Sequence, residues 1–284
     1  MQAMTIRPEC RGCLERLVEL TVGLATPDPE VQRQAREAAR EIIAREFTPR
    51  AIPALIANRF HLVIQEIAGN SDPFAPRKAQ ETAFLARMWE AIGPGSGADL
   101  GALLELAAAG NAVDFFRSQE EVAREIRASV QFGVSHLARF RRELAQPPGL
   151  LLYLADNAGE QFFDRPLVAH LRGRGWRVLY VVKAGPIQND LTREDLDASG
   201  LGEVMQPVAD TGARTVGLEL AAASSRFREL FAAAHLILAK GMGHFETMSH
   251  LEDERVFFLL QAKCGPVARA LGVPARTFVF ARGA

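Results

Sequence analysis

The chain has 284 residues, 48% of them hydrophobic, with 33 basic against 34 acidic side chains. A net charge of −1 gives no general attraction to nucleic acid or to an anionic membrane, so an anionic ligand must be held by a local site. No apolar run reaches the roughly 18 residues of a spanning helix, and residues 1–12 carry no hydrophobic signal core, so a cytoplasmic location is expected.

The first half reads as helices. Asp28-Pro29-Glu30 has the form of an N-cap with proline in the first turn. From there to Phe47, Val31, Ala35, Ala38, Ala39, Ile42 and Ile43 recur at helical spacing. A second helix is expected over residues 51–68, stopping at Gly69-Asn70, and a third over about 76–92. Ser118 and Glu121 make a capping box ahead of a long helix through Arg142, and Pro147-Pro148 then punctuates the chain.

The second half changes rhythm. Short continuous apolar runs appear at residues 150–155, 178–182, 236–239 and 277–280, with a shorter one at 204–205. Helical stretches are expected between them at 166–172, 216–234 and 248–260. Continuous apolar strands alternating with helices indicate an α/β fold with a mostly parallel sheet covered on both faces. The expected organisation is a helical domain over residues 1–145 and an α/β domain over 146–284. No internal repeat or low-complexity tract interrupts either.

In an open α/β sheet, ligands bind beyond the carboxyl ends of the strands. The residues there are Asp156-Asn157-Ala158-Gly159-Glu160, the stretch from Lys183 to Asp190, Asp210-Thr211-Gly212, and the stretch from Lys240 to Thr247. Each combines glycine with charged or amide side chains. Asp156, Asn157 and Asp190 offer hard oxygen ligands suited to Mg2+ or Mn2+. Lys240 supplies a positive point charge for phosphate, and backbone N–H groups beside glycines add donors. These are the parts that phosphoryl transfer uses. Any one of these acids, Asp156 and Asp164 included, equally suits a helix cap or a loop hydrogen bond; the functional reading rests on the set.

The segments Tyr153-Leu-Ala-Asp-Asn-Ala-Gly-Glu160, Gly185-Pro-Ile-Gln-Asn-Asp190 and Ala239-Lys-Gly-Met-Gly-His-Phe-Glu-Thr247 resemble those of the DUF89 family, also called damage-control phosphatases. Gly69-Asn-Ser-Asp-Pro-Phe74 with Lys78, Ala109-Gly-Asn-Ala-Val-Asp114 and Ala262-Lys-Cys-Gly-Pro-Val267 extend the likeness along nearly the whole chain. Cys10-Arg-Gly-Cys13 is similar to the prokaryotic branch. The resemblance implies a helical N-terminal region beside a three-layer α/β/α domain. It implies a divalent-metal-dependent phosphatase acting on a small phosphorylated metabolite. The metal ligands would be Asp156, Asn157 and Asp190; the cation is Mg2+ or Mn2+, with Co2+ or Ni2+ as alternatives. Asp156, Glu160 and Lys240 become the catalytic candidates. Lys240, Gly241, His244, Glu246, Asp72, Lys78 and Asn111 become the candidates on the substrate side. The family pattern Lys-Gly-x-Gly-Asn-Phe-Glu has asparagine where this chain has His244, which puts the role of that position in doubt.

Three cysteines, Cys10, Cys13 and Cys264, cannot all pair, which argues against a disulfide framework. A three-cysteine metal site and small buried residues on helices are both open readings. Asn70-Ser71-Asp72-Pro73 also suits a simple turn. His61, His136, His170, His235 and His250 show no paired spacing and read as structural; Arg139, Arg141 and Arg142 suit a solvated helix end. Two other functions fit the architecture. One is an S-adenosylmethionine-dependent methyltransferase, against which stands Asp-Asn in place of a Gly-x-Gly turn after the first strand. The other is a non-enzymatic metal- or phosphometabolite-binding protein.

Overall fold

The computed structural model describes residues 2–93, 98–112, 118–128 and 130–283. In chain order the elements are α1 (Pro8–Ala25), α2 (Pro29–Glu46), α3 (Pro53–Ala68), α4 (Ala75–Ile92), α5 (Leu100–Gly110), α6 (Gln119–Arg127), β1 (Phe132–Ser135) and α7 (Leu137–Leu144). Then follow β2 (Leu150–Leu154), α8 (Gln161–Gly173), β3 (Arg177–Val182), α9 (Arg193–Ala198), β4 (Val208–Asp210), α10 (Ser225–Ala233), β5 (Leu236–Lys240), α11 (Gly241–Met248), β6 (Val256–Gln261), α12 (Gly265–Leu271) and β7 (Phe278–Arg282).

The early helices start and stop where their chemistry dictates. The Asp28 carboxylate accepts the N–H groups of Glu30 and Val31 at the head of α2. At the end of α3, Gly69 takes the left-handed conformation (φ 60°) and closes the helix.

Four expectations are corrected. Residues 118–142 are not one helix. α6 ends at Arg127, and the β-forming stretch around Phe132 and Val134 enters the sheet as an edge strand beside β7. Gly133 lets it approach, since a Cβ there would lie 2.4 Å from Thr277 Cγ2. Residues 256–260, expected inside a helix, form strand β6: a short, wholly apolar run does not by itself distinguish a buried helix from a central strand. Residues 204–205 lie in a turn, and the strand there is Val208–Asp210. Of residues 216–234 only Ser225–Ala233 is helical, since Gly217 sits at φ 70° in a turn.

The sheet order is β1-β7-β6-β5-β2-β3-β4, parallel throughout except for the antiparallel β6–β7 pair. From β2 the chain moves outward through β3 and β4, then returns to place β5 on the other side of β2. The strand order therefore reverses between β2 and β5, which opens a crevice at their carboxyl ends.

Side chains along the central strands alternate between two cores. Leu151, Tyr153, Leu238, Phe257 and Leu259 face the layer holding α4, α5, α7 and α8. Leu150, Leu152, Leu154, Ile237, Phe258 and Leu260 face the layer holding α1, α2, α3, α10 and α12. The fold is thus a three-layer α/β/α sandwich, and the runs look continuously apolar because both faces are buried. Helices from residues 1–145 cover both faces, and β1 joins the same sheet. We propose to retain a division at residue 145 only as a change of sequence rhythm.

Candidate functional site

Two loops meet at the switch point. The Leu191 N–H donates to the Asp156 carbonyl at 2.8 Å and the Ala158 N–H to the Asn189 carbonyl at 2.8 Å, so Asn157 and Asp190 pair across a short antiparallel bridge. This joins the loop after β2 to the loop after β3 and sets Asp156, Asn157 and Asp190 side by side. The start of α11 closes in from β5: a Cβ on Gly241, at φ 82°, would lie 1.9 Å from Asp156 Oδ2.

Amides hold the carboxylates apart. Asn111 Nδ2 donates to Asp156 Oδ2 (2.8 Å) and Glu160 Oε1 (3.0 Å), and Asn157 Nδ2 donates to the same two oxygens at 2.9 and 2.7 Å. With its N–H groups spent there, Asn157 has only Oδ1 left for a ligand. Burial, reinforced by the charges of Glu160 and Asp190, pushes Asp156 up to about 8. Burial likewise pushes Asp190 up to about 6, against the pull of Lys183. Asp190 Oδ2 is buried without a hydrogen-bond partner and lies 3.5 Å from Lys183 Nζ.

These acids floor a cavity of about 320 Å³. Asp156, Asn157, Gln188, Asn189 and Asp190 line one end. Cys13, Leu14, Arg16 and Leu17 of α1, Pro53, Ala54 and Ala57 of α3, Met242, Gly243 and Glu246 of α11, and Lys263 and Cys264 after β6 form the walls with Val216. Glu246 accepts the Ala54 N–H at 3.1 Å, and burial pushes its carboxyl up to about 7.

The remaining candidates are placed differently. Lys240 does not line the cavity. It is fully buried, 2.6 Å from both Glu160 Oε2 and Asp164 Oδ1, and Asp164 is held by the hydroxyls of Tyr153 (2.8 Å) and Tyr180 (2.7 Å). His244 also lies behind the wall. Its Nδ1–H donates to the Lys240 carbonyl at 2.6 Å, so Nε2 accepts from Lys183 Nζ at 3.3 Å, and burial keeps the ring neutral. Lys78 is buried between Asp72 (2.7 Å) and Asp195 (2.8 Å), and neither Asp72 nor Lys78 lines the cavity. Asp114 lies outside the described residues. Cys10 is buried and accepts the Arg7 N–H at 3.4 Å; burial pushes the half-buried Cys264 thiol up to about 12. Among the described residues no group of three or more His, Cys, Asp and Glu side chains is gathered to hold a metal, the cysteines included.

Lys183 and Lys263 were not singled out from sequence. Lys183 opens one of the expected strand-end loops and Lys263 belongs to the family-like Ala262-Lys-Cys-Gly-Pro-Val267 segment, but the sequence gives neither lysine a role; the run ahead of Lys263 is expected to be helical and forms β6 instead. Its N–H donates to Met242 Sδ at 3.3 Å, which seats it at the cavity.

The fold and crevice define an α/β/α protein with an acidic floor at its topological switch point. The damage-control phosphatase ARMT1-like domain model matches residues 6–277, and the chain belongs to that family. It is 34% identical to a damage-control phosphatase of Pyrococcus horikoshii over 98% of both chains. It is 31% identical to a damage-control phosphatase of Archaeoglobus fulgidus, over 95% of this chain and 96% of that one. The crystal structure of a DUF89 family protein from Pyrococcus horikoshii superposes with a TM-score of 0.89 at 34% identity, over 99% of this chain and 100% of the other. Among the described residues no helix is long and apolar enough to cross a membrane.

Proposed function

We propose that this chain is a divalent-metal-dependent phosphomonoester hydrolase acting on a small phosphorylated metabolite, with Asp156, Asn157 and Asp190 as the metal ligands. The observation that carries this is the pairing of Asp156-Asn157 with Asp190 across one backbone bridge at the floor of the cavity. The donor set fits a hard cation: two carboxylates whose charge burial penalises, an Asp190 oxygen with no hydrogen bond and only the Lys183 charge 3.5 Å away, and an amide oxygen. When bound, Mg2+ or Mn2+, or alternatively Co2+ or Ni2+, supplies Lewis-acid polarisation of a phosphoryl oxygen.

The chain's own groups supply the rest. Lys263, on the cavity wall, takes the phosphate-neutralising role that the sequence assigned to Lys240. Lys240 instead fixes Glu160, which with Asn111 orients Asp156 and Asn157. Burial raises the Glu246 carboxyl to about 7, so it exchanges its proton near neutral pH and serves as the donor to the departing oxygen or to a substrate hydroxyl. A cytoplasmic location belongs to the same reading, on three cysteines, Cys10, Cys13 and Cys264, that form no disulfide.

Asp156→Ala and Asp190→Ala are each expected to abolish Mn2+-dependent hydrolysis of an aryl phosphate while circular dichroism stays unchanged. Full activity in either variant overturns the ligand assignment. Tight phosphometabolite binding with no turnover over hours would favour the non-enzymatic reading.

A further inference from the structure

One side chain on the cavity floor has its orientation fixed by a hydrogen-bond chain that starts on α1. Thr21 of α1 donates its only hydroxyl proton to the Leu17 carbonyl at 2.8 Å. Toward His61 Nδ1, 3.3 Å away, Thr21 can therefore only accept, which places the imidazole proton on Nδ1. His61 is buried and neutral, and its ring packs against Phe60 and Phe74 with centroids 4.7 and 5.9 Å apart. Nε2 is then a lone pair, and the Gln188 side-chain nitrogen 2.9 Å from it must be the donor. The hydrogen-bond chain thus fixes which way the Gln188 amide faces.

With its nitrogen turned to His61, Gln188 has Oε1 left on the other side. That oxygen accepts no hydrogen bond from the described protein and is not sealed off, and Gln188 lines the cavity beside Asp156, Asn157 and Asp190. The neighbouring amide is committed elsewhere, since Asn189 Nδ2 donates to Glu81 Oε2 at 2.8 Å. Gln188 also stands at φ 46°, a left-handed backbone that non-glycine residues adopt only when something holds them there.

We infer that Gln188 is a specificity-determining residue whose side-chain carbonyl accepts a hydrogen bond from a hydroxyl or amino group on the organic part of the substrate, and that His61 is a positioning residue acting through it. The inference rests on the phosphatase reading above and narrows it. It selects phosphate esters of polyols or amino alcohols over esters of plain alkyl alcohols. A carbonyl at this point has nothing to offer an alkyl chain, and closing it against one leaves a buried acceptor unpaired.

The test compares glycerol 3-phosphate, propyl phosphate and an aryl phosphate with Mn2+ as the metal. The wild-type protein is expected to prefer glycerol 3-phosphate over propyl phosphate in kcat/KM. Gln188→Met keeps the side-chain length and is expected to lower that ratio about tenfold, mainly through KM for glycerol 3-phosphate. His61→Phe keeps the ring in its packing and is expected to lower the same ratio. An unchanged ratio in Gln188→Met, or no preference in the wild type, overturns the inference while leaving the phosphatase intact. Equal losses on both alkyl esters in His61→Phe would mean a merely structural histidine and overturn its positioning role. Hydrolysis of none of the three esters with Mn2+, Mg2+, Co2+ or Ni2+ is a different result: it overturns the phosphatase reading itself, and this inference with it.

Discussion

Replacing Lys240 by methionine separates two roles for that cation. If it held phosphate, the variant would fold normally and lose substrate affinity. In the structure its Nζ is instead enclosed, 2.6 Å from both Glu160 and Asp164, with no exposure. Removing one partner of a buried ion pair costs about 3–5 kcal/mol, because the remaining charge has lost its compensation. For a chain of this size that corresponds to a fall in Tm of roughly 6–20 °C. The pH dependence carries a sign. In the wild type burial works against ionisation of Glu160, but the Lys240 charge overrides it and holds the carboxyl below its ordinary range. Asp164 is pushed up by burial even with Lys240 opposing. Without Lys240 both carboxyls titrate above their unfolded values, so the variant is most stable in acid and loses stability as pH rises. The deficit should therefore be largest near pH 8 and shrink toward pH 4–5. Thermal unfolding of both proteins across that range, with KM for an aryl phosphate measured in parallel, makes the comparison. A loss under about 1 kcal/mol together with a raised KM would refute the reasoning and return Lys240 to the phosphate.

Gly241→Ala is expected to displace the Asp156 carboxylate, since the new Cβ would lie 1.9 Å from Oδ2 at φ 82°. A misplacement of that kind costs on the order of a hundredfold in kcat/KM, and near-normal turnover in a steady-state assay would contradict the close approach. Asp156 at about 8 and Asp190 at about 6 both stand above their unfolded values, so the metal-free protein loses stability as pH rises from about 4 through 8. A divalent cation replaces those protons, so the gain in Tm on adding Mn2+ should grow over the same window; a gain independent of pH would speak against the carboxylates as ligands.

Much of the architecture was legible because burial on both faces leaves a plain signature. Residues 150–155 and 178–182 are apolar without alternation and could only be inner strands of a covered sheet once glycine and helices bounded them. The same signature is ambiguous at Val256, where the run continues a helical-looking stretch, so the sequence does not show that Lys263 follows a strand end at the crevice. The strand within residues 118–142 was lost for a related reason: its place depends on Gly133 fitting against Thr277, a contact 144 positions away along the chain. Strand ends pointed to Asp156, Asn157 and Asp190, which the pairing of adjacent strands β2 and β3 brings to one crevice. They could not reveal that Lys240, at the end of β5, would meet Asp164, in the first turn of α8, rather than the cavity, because that pairing depends on the tyrosines of β2 and β3 packed behind them. Nor could they show Arg16 or His61, whose positions depend on how α1 and α3 dock.

That docking divides labour within one small chamber. The acidic floor comes from loops of the sheet, whereas much of the wall comes from α1 and α3, which are held on the sheet by a shared apolar core. Substitutions at Leu14, Arg16, Leu17 or Ala57 therefore remodel what fits above the floor without touching the residues that would grip a phosphoryl group. A lineage built on this plan can change its repertoire of tolerated metabolites by editing the first sixty residues, and keep one reaction while doing so.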